Sequence, residues 1–482
     1  MIRVLAVASE VFPLVKTGGL ADVVGALPGA LKPHGVEMRV LVPGYPAVTA
    51  ALRKAETVHS YAQLFGGKAT LIAGNAAGLD LIVLDAPHLF DRPGNPYLAP
   101  GGADWPDNWR RFAALGQVAA DIGTGKIAAF RPDVVHCHDW HAGLAPALLH
   151  YANGPAAKSV MTIHNLAFQG NFPVTIFPSL GLPEVAFAVD GVEYYGSVSF
   201  MKSGLQLADA VTTVSPSYAA EICTPAGGMG FDGLLRARSN VLSGILNGID
   251  TGVWNPASDA ALPAPFSAAS LGRRAVNRRA VEAAFGLEPA AGMVFAVVSR
   301  LTWQKGMDVL GDCIDGLVGR GARLAVLGTG DSALEGMFHA ATSRHRGRVG
   351  MIAGYDERLS HLLQGGADAI LVPSRFEPCG LTQFCGLRYG CIPVVARVGG
   401  LADSIVDAND AAIAAQIATG IQFMPVERSG LDAALTRAVA VHRDRAVWTR
   451  MQKRGMKTDV SWTVSAGRYA ALYRSLLERK AP

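Results

Sequence analysis

Short runs of β-branched and leucine residues recur along the chain. Each closes on a loop rich in Gly, Pro or polar residues and then on a helical spacing. That alternation restricts the fold to parallel βαβ units, because parallel strands need a crossover that a helix supplies. Residues 2–8, 38–42, 79–84, 134–136, 160–163 and 210–214 read as strands of a first sheet, with helices over 20–32, 108–123 and 142–151. A second set begins at 293–298 and continues through 323–327, 349–352, 369–372 and 392–395, with helices over 306–318, 332–343 and 357–364. At 482 residues the chain exceeds one ordinary core, so two or three domains are expected, and the pattern supplies two α/β sheets. The predicted division is a first domain over 1–256 and an Ala-, Pro- and Ser-rich linker over 257–271. A second domain covers 272–457, and 458–482 carry an amphipathic helix, 466–479, expected to cross back to the first domain.

In such sheets ligands gather outside the carboxyl ends of the strands, so the loops that follow strands are where function is sought. Pro373-Ser-Arg-Phe-Glu-Pro-Cys-Gly-Leu-Thr382 follows the strand at 369–372 and precedes a helix over 383–389. It puts a carboxylate, Glu377, in a Pro-pinched turn, and places the amides of Gly380, Leu381 and Thr382 at a helix start, where an anion is favoured. A diphosphate on those amides with a sugar against Glu377 would use both features; a solvated Glu in a capped turn would use neither. After the first strand come Lys16, Gly18 and Gly19, a mobile cation beside backbone that a ligand can approach closely. The spacing matches neither the dinucleotide GxGxxG nor the Walker pattern. Gly18-Gly-Leu-Ala-Asp22 recurs as Gly399-Gly-Leu-Ala-Asp403, an echo that two sheets of similar type would explain, as would chance over five residues.

The strand at 134–136 runs into His136-Cys-His-Asp-Trp-His141, and that at 160–163 into His164-Asn-Leu-Ala-Phe-Gln-Gly170. Five possible ligands in six residues invite a metal reading, but successive strand residues point to opposite faces, so a polar pocket rim is the better account. The loop over 91–107 carries Tyr97 and Trp105, aromatic rings that can stack on sugars or pack in the core. Charged residues make up 17% of the chain and the net charge is +4, without a Lys/Arg block, which argues against both disorder and a nucleic-acid partner. The six cysteines form no CxxC pair and read as reduced thiols of a cytoplasmic protein. No apolar run approaches membrane-spanning length, so no membrane association is expected.

Taken together, Lys16-Thr-Gly-Gly-Leu-Ala-Asp-Val, His138-Asp-Trp-His, His164-Asn-Leu-Ala-Phe-Gln-Gly, Asn247-Gly-Ile-Asp, Ser299-Arg-Leu-Thr-Trp-Gln-Lys-Gly306 and the Glu377 segment resemble bacterial glycogen synthases and plant starch synthases. The resemblance runs from residue 2 to about 465. It implies a GT-B fold, two Rossmann-like doubly wound domains facing across a deep cleft. It also implies transfer of glucose from ADP-glucose to the non-reducing end of glycogen or another α-1,4-glucan, with retention of configuration. The Lys-Thr-Gly-Gly-Leu opening favours ADP-glucose over UDP-glucose, which remains the alternative donor along with a different acceptor. Cys137 stands where a smaller residue such as Ala is the family's expectation.

By this resemblance Arg300 and Lys305 bind the diphosphate, with the amides of Leu381 and Thr382 on the distal phosphate and Tyr355 stacked on adenine. Glu377 serves sugar positioning and charge stabilisation, with direct nucleophilic attack left open. His164 and Asp139 bond the glucose and line the acceptor side. Asn165 and Asn247 bind further hydroxyls, Cys379 and Gly380 approach the sugar, and Tyr97 is a candidate acceptor contact. Lys16, Gly18 and Gly19 would meet the donor on closure of the cleft. No metal and no cofactor are required, since cations and helix amides can neutralise the diphosphate.

Overall fold

The computed structural model describes residues 1–478, so the end of the helix foreseen to reach Arg479 and the domain limit at 482 lie outside the described residues. The chain divides into two units: Met1–Asn247 together with the C-terminal segment from Trp462, and Gly248–Ser461.

The strands of the first unit are β1 (Ile2–Val7), β2 (Val36–Pro43), β3 (Arg53–Leu64), β4 (Gly67–Ala76), β5 (Leu79–Asp85), β6 (Val134–His138), β7 (Lys158–Ile163), β8 (Asn171–Pro173), β9 (Glu193–Tyr194), β10 (Ser197–Ser199), β11 (Ala210–Thr213) and β12 (Leu242–Gly244). The main sheet has the order β12-β11-β7-β6-β1-β2-β5-β4-β3, and β8, β10 and β9 form a small antiparallel sheet. The central strands pair in parallel and are buried along both faces, as continuous runs such as Val4-Leu-Ala-Val7 require. The hairpin β3–β4 pairs antiparallel on β5, and the strand runs above did not include it. Its first strand is largely exposed and mixes Lys, Glu, His and Ser, so it lacks the apolar signature of a buried strand.

The second unit contains β13 (Val294–Val298), β14 (Arg323–Gly328), β15 (Val349–Ala353), β16 (Ala369–Val372), β17 (Ile392–Ala396) and β18 (Ile421–Phe423), in the order β15-β14-β13-β16-β17-β18 and parallel throughout. Phe295, Val297, Leu324 and Val326 meet Leu310, Ile314 and Leu317 of the helix Met307–Gly319 in its core. Both sheets reverse their winding beside their first strand. The chain leaves β1 toward β2 and β5, then returns to β6 on the other side. It leaves β13 toward β14 and β15, then returns to β16. At such a reversal the two adjacent loops lead away from each other and open a crevice at the carboxyl edge.

The stretch 257–271 is not a free tether. Leu262 and Phe266 are buried with Tyr389 and Met456, and Asp259 accepts a hydrogen bond from His361 Nδ1 at 2.7 Å. Its small residues set the composition, but three anchors fix it within the second unit. The C-terminal helix, Trp462–Glu478, packs in the first unit against the helix Gly19–Leu31. Arg474 Nη2 donates to the His34 carbonyl at 2.7 Å, and the Tyr473 hydroxyl meets His136 Nδ1 at 2.8 Å. Among the described residues no helix is long and apolar enough to cross a membrane.

Candidate active site

In the second unit the reversal lies between β13 and β16, and the loops that leave these strands carry the predicted charges. Arg300, Lys305, Glu377, Gly380, Leu381 and Thr382 line one cavity of about 180 Å³. Glu377 is 7% exposed, and its Oε2 accepts from Lys305 Nζ at 2.5 Å and from Ser374 Oγ at 2.8 Å. A carboxylate so far out of water needs partners of this kind to remain charged. Arg300 is exposed at the rim and has no carboxylate partner among the described residues, so its charge is available to an anion. The neighbouring Arg375 is committed elsewhere: it pairs with Asp308 through two bonds of 2.7 and 2.6 Å and donates to the Trp303 carbonyl. That pair ties the Glu377 loop to the helix Met307–Gly319.

The helix Thr382–Tyr389 starts at the cavity, and Gly380 precedes it with φ +73°. Its first residues line the volume that the two cations share, and a helix start there suits a phosphate. Gln383 holds the turn from below, its Nε2 donating to the carbonyls of Cys379 and Gly380 at 3.0 Å. Behind Glu377 the helix Gly399–Ser404 begins, and Gly400 N–H donates to the Glu377 carbonyl at 3.1 Å. Gly399 sits at φ +43°, and a Cβ there would lie 3.0 Å from the Glu377 carbonyl carbon and closer still to its oxygen. Its counterpart in the sequence echo, Gly18, is extended at φ −154° with open space around it. Gly18 follows β1 at one reversal, whereas Gly399 follows β17, so the echo does not mark equivalent positions. Tyr355 is an exposed ring beyond β15 on the same carboxyl edge and does not line the cavity.

In the first unit the reversal lies between β1 and β6. The Lys-Thr-Gly-Gly loop after β1 is organised by Glu10, which is 2% exposed. Its carboxylate accepts from Thr17 Oγ1 at 2.6 Å, from the amides of Thr17 and Gly18, and from the Tyr97 hydroxyl. Lys16 is half-exposed and pairs with Asp22 at 2.7 Å, on the first turn of the helix that Gly19 opens. Tyr97 also bonds Ser9 Oγ at 2.8 Å and stacks on His141 with ring centroids 4.5 Å apart, so its hydroxyl and one ring face are occupied. Burial and then the Glu10 charge push the Tyr97 phenol well above its ordinary range.

Asp139 follows β6 at φ 57°, ψ −177°, a region essentially reserved for glycine. Strain of this kind persists only where surroundings impose it. Here the Asp139 carboxylate accepts the backbone N–H of His164 at 2.7 Å and of Asn165 at 3.4 Å. Burial pushes Asp139 up to about 7, against the pull of those two bonds. His164 Nε2 lies 2.9 Å from His138 Nδ1. Burial lowers His136 and His164 to about 3 and His138 well below its ordinary value, so the three rings are neutral. Asn165 Oδ1 accepts the Ala167 amide at 3.0 Å, and Asn247 is buried with its Oδ1 unpartnered among the described residues. His136 Nε2 bonds Thr162 Oγ1 at 2.6 Å, which leaves this strand end a hydrogen-bonded rim. Among the described residues no group of three or more His, Cys, Asp or Glu could hold a metal ion. Cys137 is fully buried in β6, facing the core.

Each unit therefore gathers part of its predicted residues at its own reversal, while Asn247, after β12, and Tyr355, after β15, follow edge strands away from it. Sequence reading missed Glu10, His138 as a partner of His164, Ser374 and Gln383. Glu10 had one available signal, a carboxylate next to the end of the first strand. The other three act through contacts that their own stretches do not announce.

Residues 3–237 match the family model described as the starch synthase catalytic domain, and residues 284–421 match glycosyl transferases group 1. A glycogen synthase of Rhodopseudomonas palustris (strain HaA2) is 57% identical over 98% of this chain and 98% of its own length. One from Mesorhizobium japonicum is 58% identical over 99% of each chain. Among solved structures, the catalytic domain of starch synthase IV from Arabidopsis thaliana, bound to ADP and acarbose, aligns over 99% of this chain and 100% of that one. Its TM-score is 0.89 and its identity 31%. With two doubly wound units of the GT-B class and relatives this similar along nearly the whole length, the chain belongs to the glycogen synthase family.

Proposed function

We propose that this chain transfers glucose from ADP-glucose to the non-reducing end of an α-1,4-glucan such as glycogen, with retention of configuration and release of ADP, in glycogen biosynthesis. The observation that carries the reading is the cavity at the β13/β16 reversal. There two cations, a helix start and one buried carboxylate face a common volume. In this reading Arg300, Lys305 and the amides of Leu381 and Thr382 bind the donor's diphosphate and stabilise the charge that develops as ADP departs. At 4 Å each cation contributes about 4 kcal/mol at an effective dielectric of 20, before desolvation. Tyr355 stacks on the adenine, and Cys379 and Gly380 line the approach to the sugar.

Retention requires either a covalent intermediate or attack from the leaving-group side. Glu377 already carries Lys305 on Oε2, and an acid neutralised at 2.5 Å is a weak nucleophile. We therefore assign it to the glucose hydroxyls and to the positive charge developing at the anomeric carbon, while the departing phosphate takes the acceptor's proton. The first unit contributes Lys16 with Gly18 and Gly19 to donor binding. His164, Asp139, Asn165 and Asn247 bond sugar hydroxyls, and Tyr97 supports the acceptor side through Glu10 and His141. No step calls for a metal or a cofactor. The free, largely buried cysteines suit a reducing cytoplasm, where nucleotide sugars are made.

The test is incubation with labelled ADP-glucose and glycogen, followed by linkage analysis and competition with UDP- and GDP-glucose. New α-1,4 linkages with ADP as preferred leaving group are expected. ADP that is not released in the presence of glycogen, or a preference for UDP-glucose, overturns the reading.

A further inference from the structure

The end of β6 grips the residue that follows the next strand, His164, twice. Asp139 holds the backbone N–H of His164 at 2.7 Å, and His138 Nδ1 holds its ring at Nε2, 2.9 Å away. His138 is completely buried, and its other nitrogen, Nε2, has no partner among the described residues. Its ring lies against that of His136, with centroids 4.2 Å apart. His136 is itself engaged at both nitrogens by Thr162 and Tyr473, so it offers His138 no alternative bond.

Each of these neutral imidazoles carries one proton, and the question is where. A proton on His138 Nε2 would be a buried N–H without an acceptor, which costs more than an acceptor left idle. A proton on Nδ1 leaves only an idle lone pair at Nε2 and makes the His138–His164 contact a proper donor–acceptor bond. Once Nδ1 of His138 donates, Nε2 of His164 must accept, and the single proton of His164 must sit on its Nδ1.

We propose that His138 is a positioning residue that fixes His164 as the Nδ1–H tautomer, so that the partly exposed ring presents a donor to an oxygen of the substrate. The proposal deepens the role given above to His164 and rests on it. A donor at this edge can bond a sugar hydroxyl oxygen or an anionic phosphoryl oxygen. The opposite tautomer would present a lone pair, which can accept from a hydroxyl but repels an anion. The chain thus orients one substrate contact through a residue that does not itself touch substrate.

Substitutions at His138 separate this role from simple packing. Asparagine places an amide N–H where Nδ1 stood, whereas phenylalanine keeps the ring and removes the donor. His138→Phe is expected to lower kcat/KM for ADP-glucose on the order of 10²-fold, the cost of one misplaced oriented donor. His138→Asn should retain activity to within about fivefold. A long-range proton–nitrogen NMR correlation on the full chain, labelled in histidine and assigned through a His164→Asn variant, reads the tautomer directly. The Nδ1–H pattern is expected for His164 in the parent protein and in His138→Asn, and its loss in His138→Phe. An Nε2–H pattern in the parent protein overturns the proposal, as does an unchanged pattern in folded His138→Phe. If His164→Ala transfers glucose at full rate, the catalytic reading of His164 fails, while the tautomer is still judged from the spectrum alone.

Discussion

Replacing Gly399 by alanine should disable the enzyme without unfolding it. The added Cβ would stand 3.0 Å from the Glu377 carbonyl carbon, and backbone rather than a yielding side chain receives it. Unstrained carbon–carbon contacts lie at about 3.5–4.0 Å, so the two segments must part by at least roughly 0.5–1 Å, and by more to clear the carbonyl oxygen. The φ of +43° adds a further strain on the order of 1–2 kcal/mol for a residue with a Cβ. Gly400 N–H is bonded to the same Glu377 carbonyl, so the shift passes to the residue that carries the carboxylate. A misplacement near 1 Å costs about 10²-fold in rate, equivalent to about 2.7 kcal/mol. Glucose incorporation from labelled ADP-glucose into glycogen measures the loss, with thermal unfolding followed in parallel. Gly336→Ala is the control, since it adds a Cβ in open space on the helix Ser332–Arg344 and should leave activity intact. A Gly399→Ala enzyme retaining more than about half the parental rate would refute the argument that this contact locates Glu377.

Three other substitutions test the remaining geometry. Glu377→Ala should reduce kcat on the order of 10³-fold, while the affinity for ADP-glucose, measured by calorimetry, falls far less; near-normal turnover would remove Glu377 from the mechanism. Lys16→Gln should act mainly on KM for ADP-glucose, since Lys16 meets solvent and is held by Asp22 and the face of the Phe12 ring; an unchanged KM with full activity would show that it is not a donor ligand. Asp139 is raised from 3.8 to about 7, so between those values the folded chain binds more protons than the unfolded chain and its contribution to stability falls as pH rises. Asp139→Asn, which cannot ionise, should therefore gain stability relative to the parent by a few kcal/mol on going from pH 4 to pH 8, read from denaturant unfolding at each pH; a constant difference would show that burial does not control this carboxyl.

How much could be read in advance divides along a physical line. The parallel strands were legible because burial on both faces leaves a continuous apolar run, as in Ala369-Ile-Leu-Val372. The Glu377 segment was legible because Pro, Gly and an acid at a strand end form a local signal. Contacts set by register between distant strands were not. Nothing in Ser9-Glu10 says that Thr17, Gly18 and Tyr97 converge on it, and nothing in His138 points to His164. Nor does the Glu377 segment show that its own Arg375 is taken up by Asp308, 67 residues earlier. Composition misled at 257–271, where a tether-like excess of small residues hid Asp259, Leu262 and Phe266.

Because Trp462–Glu478 belongs to the first unit, that unit is assembled from the two ends of the chain. Trp462, Tyr469 and Tyr473 are among its buried residues, so synthesis of everything up to Asn247 leaves a groove unfilled. At ribosomal speeds the missing helix emerges on the order of tens of seconds later, after the whole second unit. The nascent half must wait in an unfinished state through that interval, and a gene fragment ending at Asn247 would never leave it.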